Sequence, residues 1–394
     1  MSRFRLYPTP EQEVILREHC AHARFVWNLA VEQQSWWWPG RGSAPGWVEQ
    51  SRQLTEARQE FEWLRTGSAE IQGQALRDFA RAMANFFRGT HRMPTWRKAA
   101  RDEGFGVHQV GRVYRVKRLS RRVGAAQVPK VGWVRFRWSR TVPDGVKSYR
   151  VTLDCSGRWH VAFVAIPEPI PEPGNGEVVG VDRGVVVSAA LSTGELLTVP
   201  RLSPGRSRRL VRFQRKLARA KRGSNRRGKV KLAIARLKAR EADARKDWAE
   251  KTSTDVARRF DVIRVENLKI GNMTRSAKGT IEAPGRNVSQ KAGLNREILR
   301  SGWGLMIARL EQKAPGRVER VKPHYTSQRC SACGCVDKES RKSQARFVCT
   351  ACGFTLNADV NAARNIAAGH AVTARGGSGK LSRPVNREPL VGAA

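Results

Sequence analysis

Thr326-Ser-Gln-Arg-Cys-Ser-Ala-Cys-Gly334, Cys349-Thr-Ala-Cys-Gly353 and Asn357-Ala-Asp-Val-Asn-Ala-Ala-Arg-Asn-Ile366 follow one another toward the end of a 394-residue chain. The first two carry four cysteines in the pattern Cys330-x2-Cys333-x15-Cys349-x2-Cys352. A C-x2-C knuckle closed by glycine presents two thiolates from one tight turn, and two knuckles supply the tetrahedral set suited to one Zn2+. Four protein ligands close the site, so the metal is expected to be structural rather than hydrolytic; the plainer alternative is two unrelated Cys pairs. Cys335 is a fifth thiol nearby, read as a bystander that can compete as a ligand. The chain has seven cysteines, and this pairing fits a reducing compartment better than a disulfide framework.

The third stretch begins like a helix, with Asp359 in its first turn. Working back toward the N-terminus, two apolar runs each carry an acid. Val178-Val-Gly-Val-Asp-Arg-Gly-Val-Val-Val187 reads as a strand carrying Asp182, and Phe260-Asp-Val-Ile-Arg-Val-Glu266 as a buried strand ending in Glu266. Carboxylates at the ends of buried strands are costly unless paired or metal-bound. The three acids, from distant segments, can converge to hold two Mg2+ ions, an arrangement that activates water and stabilises a leaving oxygen in phosphodiester cleavage. Singly, each has a plainer reading: Asp182 as a turn residue, Glu266 as a salt-bridge partner, Asp359 as a helix cap.

Composition narrows the partner. Lys+Arg total 74 against 34 Asp+Glu, a formal net charge of +40, which argues against most small-molecule enzymes and for a polyanion. Residues 201–240 hold 17 Lys/Arg and no acid, with Leu210, Phe213, Leu217, Leu232 and Leu237 at near-helical spacing; a helix pair with one apolar seam is expected. Such a run repels itself unless a nucleic-acid backbone neutralises it. Arg208, Arg209, Arg212, Arg215, Lys216, Arg226 and Arg227 are the candidate contacts there, and Gln74 is the candidate among the N-terminal helices. Trp36-Trp37-Trp38 offers rings either for base stacking or for a helical core. Hydrophobic residues at 40%, with 12 Trp and 13 Phe, supply packed cores; no run approaches a membrane span and Met1-Ser-Arg-Phe-Arg5 lacks a signal-peptide core. A cytoplasmic protein with no membrane partner is expected, associated with the nucleoid when bound to DNA.

The remaining organisation follows from periodicity. Arg3-Phe-Arg-Leu-Tyr7 alternates like a strand, and Thr9-Pro10-Glu11-Gln12 forms a capping box for a helix to about Trp38. Two more helical patterns cover 47–65 and 69–88. Strands are expected at 112–117, 133–138, 149–153 and 159–163, a Pro-rich linker at 169–177 within a spacer beginning at 166, a loop at 272–293, a helix at 303–310 and a disordered tail at 371–394.

Taken in order, Arg5-Leu-Tyr-Pro-Thr-Pro-Glu-Gln12, Arg24-Phe-Val-Trp-Asn28, Gly180-Val-Asp-Arg-Gly184, Val265-Glu-Asn-Leu268, Ser301-Gly-Trp-Gly304 and the three opening stretches resemble the TnpB proteins over residues 3 to about 368. These are transposon-encoded RNA-guided DNA nucleases related to type V CRISPR effectors. The resemblance implies an α+β multidomain fold. A wedge β-barrel (1–8 and 98–168) would receive a helical recognition bundle (9–97). A RuvC nuclease domain of RNase H-like fold (178–325 and 357–370) would carry a zinc-ribbon insertion (326–356). Asp182, Glu266 and Asp359 would be the catalytic, Mg2+-binding triad, and 272–293 a lid loop. The implied partners are a guide RNA and target double-stranded DNA marked by a short transposon-adjacent motif, with both strands cut by one two-metal site. A compact CRISPR effector and a nuclease-inactive guided repressor are the alternatives; retention of all three acids speaks against the second. Arg183 departs from the family's apolar residues and sets a cation beside Asp182, where it would weaken or reposition a metal.

Overall fold

The computed structural model describes residues 2–36, 40, 44–101 and 103–369. The tail at 371–394, Trp37 and Trp38 lie outside the described residues. Contacts divide the chain into two units, Met1–Glu168 with Leu202–Asp243, and Pro169–Arg201 with Ala244–Ala394. The basic segment 202–243 therefore groups with the N-terminal unit, although the sequence-based boundary assigned it to the C-terminal one.

In the first unit, a seven-stranded antiparallel sheet runs in the order β2-β6-β7-β1-β5-β4-β3. Its strands are β1 (Ser2–Tyr7), β2 (Gly104–Val107), β3 (Val116–Arg118), β4 (Val123–Val128), β5 (Gly132–Arg137), β6 (Ser148–Leu153) and β7 (Trp159–Val164). β1 changes partner along its length: Ser2 to Arg5 face β7, whereas Leu6 and Tyr7 face β5. Alternation turns Phe4, Leu6, Phe136 and Phe163 inward, where Phe4, Phe136 and Phe163 meet with ring centroids 5.3–5.5 Å apart. Against this core lie α1 (Pro10–Ser35) and α4 (Ala69–Phe87), packed on each other, with α2 (Trp47–Glu60) and the short α3 (Glu62–Thr66) joining them along the chain. The predicted capping box forms: the Thr9 hydroxyl accepts from the Gln12 amide at 3.3 Å and the Gln12 side chain accepts from the Thr9 amide at 3.1 Å. α5 (Pro204–Arg219) buries no residue, and α6 begins at Asn225.

The second unit is built on a five-stranded sheet in the order β10-β9-β8-β11-β12. β8 (Val178–Asp182), β11 (Val262–Glu266) and β12 (Val318–Val321) run parallel, while β9 (Ala189–Leu191) and β10 (Leu196–Leu197) are antiparallel. The end of α6 (Asn225–Arg259) supplies Val256 and Ala257, and α9 (Trp303–Lys313) supplies Met306, Ile307 and Leu310, to a core with Val179, Val181, Ile263 and Val265. α7 (Ile270–Met273) and α8 (Val288–Ser301) precede α9. After β12 come the cysteine-rich segment with its hairpin β13 (Arg346–Val348) and β14 (Thr355–Asn357), and finally α10 (Ala358–Ala367). Residue 180 must be glycine: a Cβ there would run into the Ala363 carbonyl and the Ala367 amide of α10.

Several elements differ from the sequence reading. β8 stops at Asp182 because residues 183–187 turn away from the sheet, leaving Val186 exposed. Of 112–117 only Val116 and Lys117 join a strand; the chain turns at Gly111, whose φ is +91°. The expected loop at 272–293 is shortened by α8, which starts at Val288 and turns few residues inward, chiefly Ile298, so its periodicity is faint. β4 and β12 were not expected.

Gly180→Ala is expected to destabilise the chain by about 1–3 kcal/mol or more through overpacking against backbone. Gly271→Ala, where a Cβ meets nothing within 4 Å, should change stability little. Chemical denaturation of both variants checks this.

Candidate active site and metal centre

The parallel register of β8 and β11 pairs Val181 with Val265, so the next position sets Asp182 beside Glu266 at the carboxyl ends of adjacent strands. Strand neighbours at that spacing are about 4.8 Å apart. α10 brings the third acid. Its N-cap Asn357 accepts from the amides of Asp359 (3.0 Å) and Val360 (3.2 Å), fixing the first turn that carries Asp359. The small residues Ala358, Ala362 and Ala363 are buried, and the bare Cα of Gly180 lets the helix lie directly on β8. The three acids named from the sequence are thus gathered in one place.

Their electrostatics record that proximity. Burial, then the carboxylates of Glu266 and Asp359, push the Asp182 carboxyl up to about 7. Burial also raises Asp359, opposed by Arg341, whose Nη2 donates to Asp359 Oδ1 at 3.1 Å. Glu266 Oε1 accepts from the Thr326 hydroxyl at 2.6 Å. Arg183 is buried; its Nη2 donates to the main-chain carbonyl of Glu266, while its Nε has no hydrogen-bond partner. Its guanidinium thus tethers the end of β11. The Trp303 indole donates to the Gly184 carbonyl at 3.0 Å, fixing the turn that follows Asp182. Sequence reasoning missed Arg341, which sits in the cation-rich spacer between the knuckles with nothing to mark it. Thr326 was quoted only as part of a motif; its fixed place ahead of the first knuckle was the available signal.

The four thiols also converge. Cys330 and Cys352 Sγ are 3.8 Å apart, Cys333 and Cys349 Sγ 3.6 Å, and all four lie within 4.8 Å of one another. A tetrahedron with metal–sulfur bonds of about 2.3 Å has edges of about 3.8 Å, so the donor set and its spacing fit Zn2+. Gly334 and Gly353 adopt φ of +77° and +72°, the left-handed turns that close each knuckle. The Cys335 thiol stays outside the set and packs against Cys330, Phe347 and Cys349. Two asparagines on one face of α10 tie this segment to that helix. Asn361 Nδ2 and Asn365 Nδ2 both donate to the Arg329 carbonyl at 2.7 Å, Asn365 also reaches the Thr326 carbonyl at 2.9 Å, and Asn361 Oδ1 accepts from the Ser331 amide at 2.9 Å.

The candidate nucleic-acid residues are placed differently from one another. Arg208, Arg209, Arg212, Arg215 and Lys216 on α5, and Arg226 on α6, are exposed. Arg227 is half-buried, and its Nη1 donates to the carbonyls of Leu217 (2.8 Å) and Ala220 (2.9 Å), which caps the end of α5. Gln74 is only 2% exposed and donates to Asp78 at 2.9 Å, so this structure buries it between α4 and Gly106 of β2. Trp36 is 55% exposed.

Comparison with known proteins now bears on this arrangement. Residues 303–366 match a family described as "Cas12f1-like, TNB domain", residues 162–277 one described as "Probable transposase", and residues 2–43 a "Helix-turn-helix domain". An Escherichia coli K12 protein named "Putative RNA-guided DNA endonuclease InsQ" is 37% identical over 98% of this chain and 96% of its own length. The chain belongs to the TnpB family. Another relative, a "Putative RNA-guided DNA endonuclease" of Streptomyces pristinaespiralis, is 30% identical over 98% of this chain and 93% of its own length. In fold, this TnpB protein is similar to Cas12f1 in a complex with sgRNA and target DNA, with a TM-score of 0.55 at 15% identity over 91% of this chain and 83% of that one. The α+β character expected from the sequence agrees with that likeness. No helix among the described residues is long and apolar enough to cross a membrane.

A raised carboxyl pKa carries a stability signature. An acid whose folded value lies above its unfolded value of about 3.9 holds its proton more tightly when folded, so its contribution falls as pH rises from about 4 to about 7. In chelator, the melting temperature is expected to drop across that window, and Asp182→Asn to flatten the drop and raise the melting temperature at pH 7.

Proposed function

We propose that this TnpB-family chain is a Mg2+-dependent, RNA-guided DNA endonuclease whose catalytic residues are Asp182, Glu266 and Asp359. The observation that carries the reading is their convergence at the ends of β8 and β11 and the start of α10, where burial first and then the neighbouring carboxylates raise the Asp182 pKa to about 7. Full-length likeness to proteins named as RNA-guided DNA endonucleases supports it, whereas likeness to a Cas12f1 nuclease of Sulfoacidibacillus thermotolerans covers only 14% of the chain. Within this reading, 178–325 and 357–370 form the RNase H-like RuvC domain and 326–356 the zinc ribbon. The wedge β-barrel is formed by 1–8 and 98–168, and 9–97 is the recognition bundle.

Two Mg2+ ions held by the three carboxylates would supply water activation and charge neutralisation at the leaving oxygen. The chain's own side chains prepare that site. Thr326 orients Glu266 through its hydroxyl, Arg183 tethers the strand end beneath it, and Arg341 holds Asp359 in place while lowering the cost of gathering three carboxylates. Arg183 then supports the site rather than displacing a metal from it. One Zn2+ on Cys330, Cys333, Cys349 and Cys352 would fix the segment that delivers Thr326 and Arg341. Exposed cations on α5 would bind nucleic-acid phosphates, with salt-dependent affinity. Base pairing with the guide would supply sequence discrimination, while the protein reads the short adjacent motif.

The test is a plasmid-cleavage assay with protein carrying its copurified RNA. Asp182→Ala is expected to abolish cleavage and leave guide-dependent DNA binding intact; lost binding would make Asp182 structural, and absence of a discrete copurifying RNA would overturn the guided reading. Cys330→Ser is expected to release the bound zinc and lower the melting temperature; unchanged metal content would overturn that ligand assignment.

A further inference from the structure

The turn at 183–188 carries the chain from Asp182, at the end of β8, into β9. The ladder between those strands ends at the pair Asp182–Ala190, and side chains fix the backbone beyond it. Three successive residues are held by three different parts of the second unit. The Arg183 guanidinium donates to the Glu266 carbonyl at the end of β11. The Gly184 carbonyl accepts from the Trp303 indole, at the start of α9, at 3.0 Å. The Val185 carbonyl accepts from Arg201 Nη2 at 2.9 Å. Ser188 closes the turn, its buried hydroxyl accepting from the Val199 amide at 3.0 Å. A Cβ at residue 184 would run into the Val187 carbonyl, so glycine lets the turn fold this tightly.

Arg201 opens the acid-free basic run, yet it groups with the second unit and its guanidinium holds two partners at once. While Nη2 binds the Val185 carbonyl, Nη1 donates to Glu297 Oε2 on α8 at 2.8 Å. Glu297 Oε1 accepts from Arg300 at 2.9 Å. Burial alone would raise the Glu297 carboxyl; the donors on Arg300 and Arg201 outweigh it and hold the group below its ordinary value, so it is ionised at neutral pH. The corner between α8 and α9 thus brings Glu297 and Trp303 to the same turn. Gly302 makes that corner with a φ of +75°, ending α8 in the left-handed conformation and starting α9 at Trp303. The stretch Ser301-Gly-Trp-Gly304 acquires a physical meaning here: its glycine redirects the chain so that the following indole reaches Gly184.

We propose that Arg201, Glu297 and Trp303 are positioning residues for a divalent-cation site, setting the reach of the Asp182 carboxylate by holding the turn that follows it. They act through the carbonyls two and three residues beyond the acid. The inference rests on the reading that Asp182 binds Mg2+ and deepens it. Aspartate has a short side chain, so its carboxylate moves with its backbone. Groups that orient a metal ligand from outside the coordination sphere are typically worth roughly 10–100-fold in metal affinity or activity. Loosening the turn costs affinity for the cation, and excess cation refills the loosened site.

The full-length protein with its copurified RNA is assayed for plasmid cleavage across a range of Mg2+ concentrations. In parallel, desalted protein that retains its zinc is melted with and without Mn2+. Arg201→Gln, Glu297→Gln and Trp303→Phe are each expected to raise the half-saturating Mg2+ by about tenfold, to recover their rate at saturating Mg2+, and to shrink the Mn2+-induced rise in melting temperature. Arg201→Glu combined with Glu297→Arg rebuilds the ion pair and leaves the Val185 carbonyl without its donor. That double variant should regain thermal stability and keep the raised Mg2+ requirement. Recovery of both would make the pair a stabilising contact alone and overturn the proposal, as would an unchanged Mg2+ requirement in folded Arg201→Gln. Should Trp303→Phe lower stability by itself, the more exposed positions 201 and 297 carry the test. Asp182→Ala keeps this idea apart from the reading beneath it. If that variant loses the Mn2+ response while the turn variants respond like the parent, only the positioning inference falls; if it cleaves and responds like the parent, the reading falls and the inference with it.

Discussion

Helix α10 can lie against β8 only because residue 180 carries no side chain, and the geometry of the second unit depends on that contact. The approach is backbone to backbone, with the Ala363 carbonyl and Ala367 amide occupying the space a Cβ would need. Small residues at 358, 362 and 363 serve the same end from the helix side. The contact sets the depth and rotation of α10, and hence where Asp359 stands relative to Asp182. Packing, not attraction, brings these acids together; their charges oppose it.

The surroundings of the cluster answer that opposition. Within a chain of net charge +40, three acids are gathered at one point and two arginines are directed at them in different ways. Arg341 pairs with a carboxylate, whereas Arg183 binds a main-chain carbonyl and contributes charge without occupying a carboxylate oxygen. The same segment that carries Arg341 carries two of the thiols close by in sequence, so fixing the cysteines also fixes a charge at the acid site.

Much of this was legible in the amino-acid order, for identifiable reasons. An acid at the end of an apolar run, and thiols two residues apart followed by glycine, are local patterns whose physics leaves few outcomes. The three acids and four thiols stand where those patterns implied. What escaped notice depended on tertiary context. β4 contains Gly124 and two alanines, poor strand formers, because the rings of Phe136 and Trp138 fill the space above residue 124. β12 is an edge strand whose Glu319 and Arg320 face outward, so it shows no apolar run. Arg227 read as one more cation in a basic run, and only coordinates reveal it closing α5. Gln74 had no local signal for its buried position beside Asp78.

The order in which these parts occur along the polypeptide has a consequence for synthesis. Domains fold as units while the chain leaves the ribosome, the N-terminal portions first. The basic helices and both strand-end acids emerge well before α10, which arrives last among the described elements and needs β8 already in place to dock. During synthesis the carboxylate cluster is therefore complete only once α10 has left the ribosome and settled on β8.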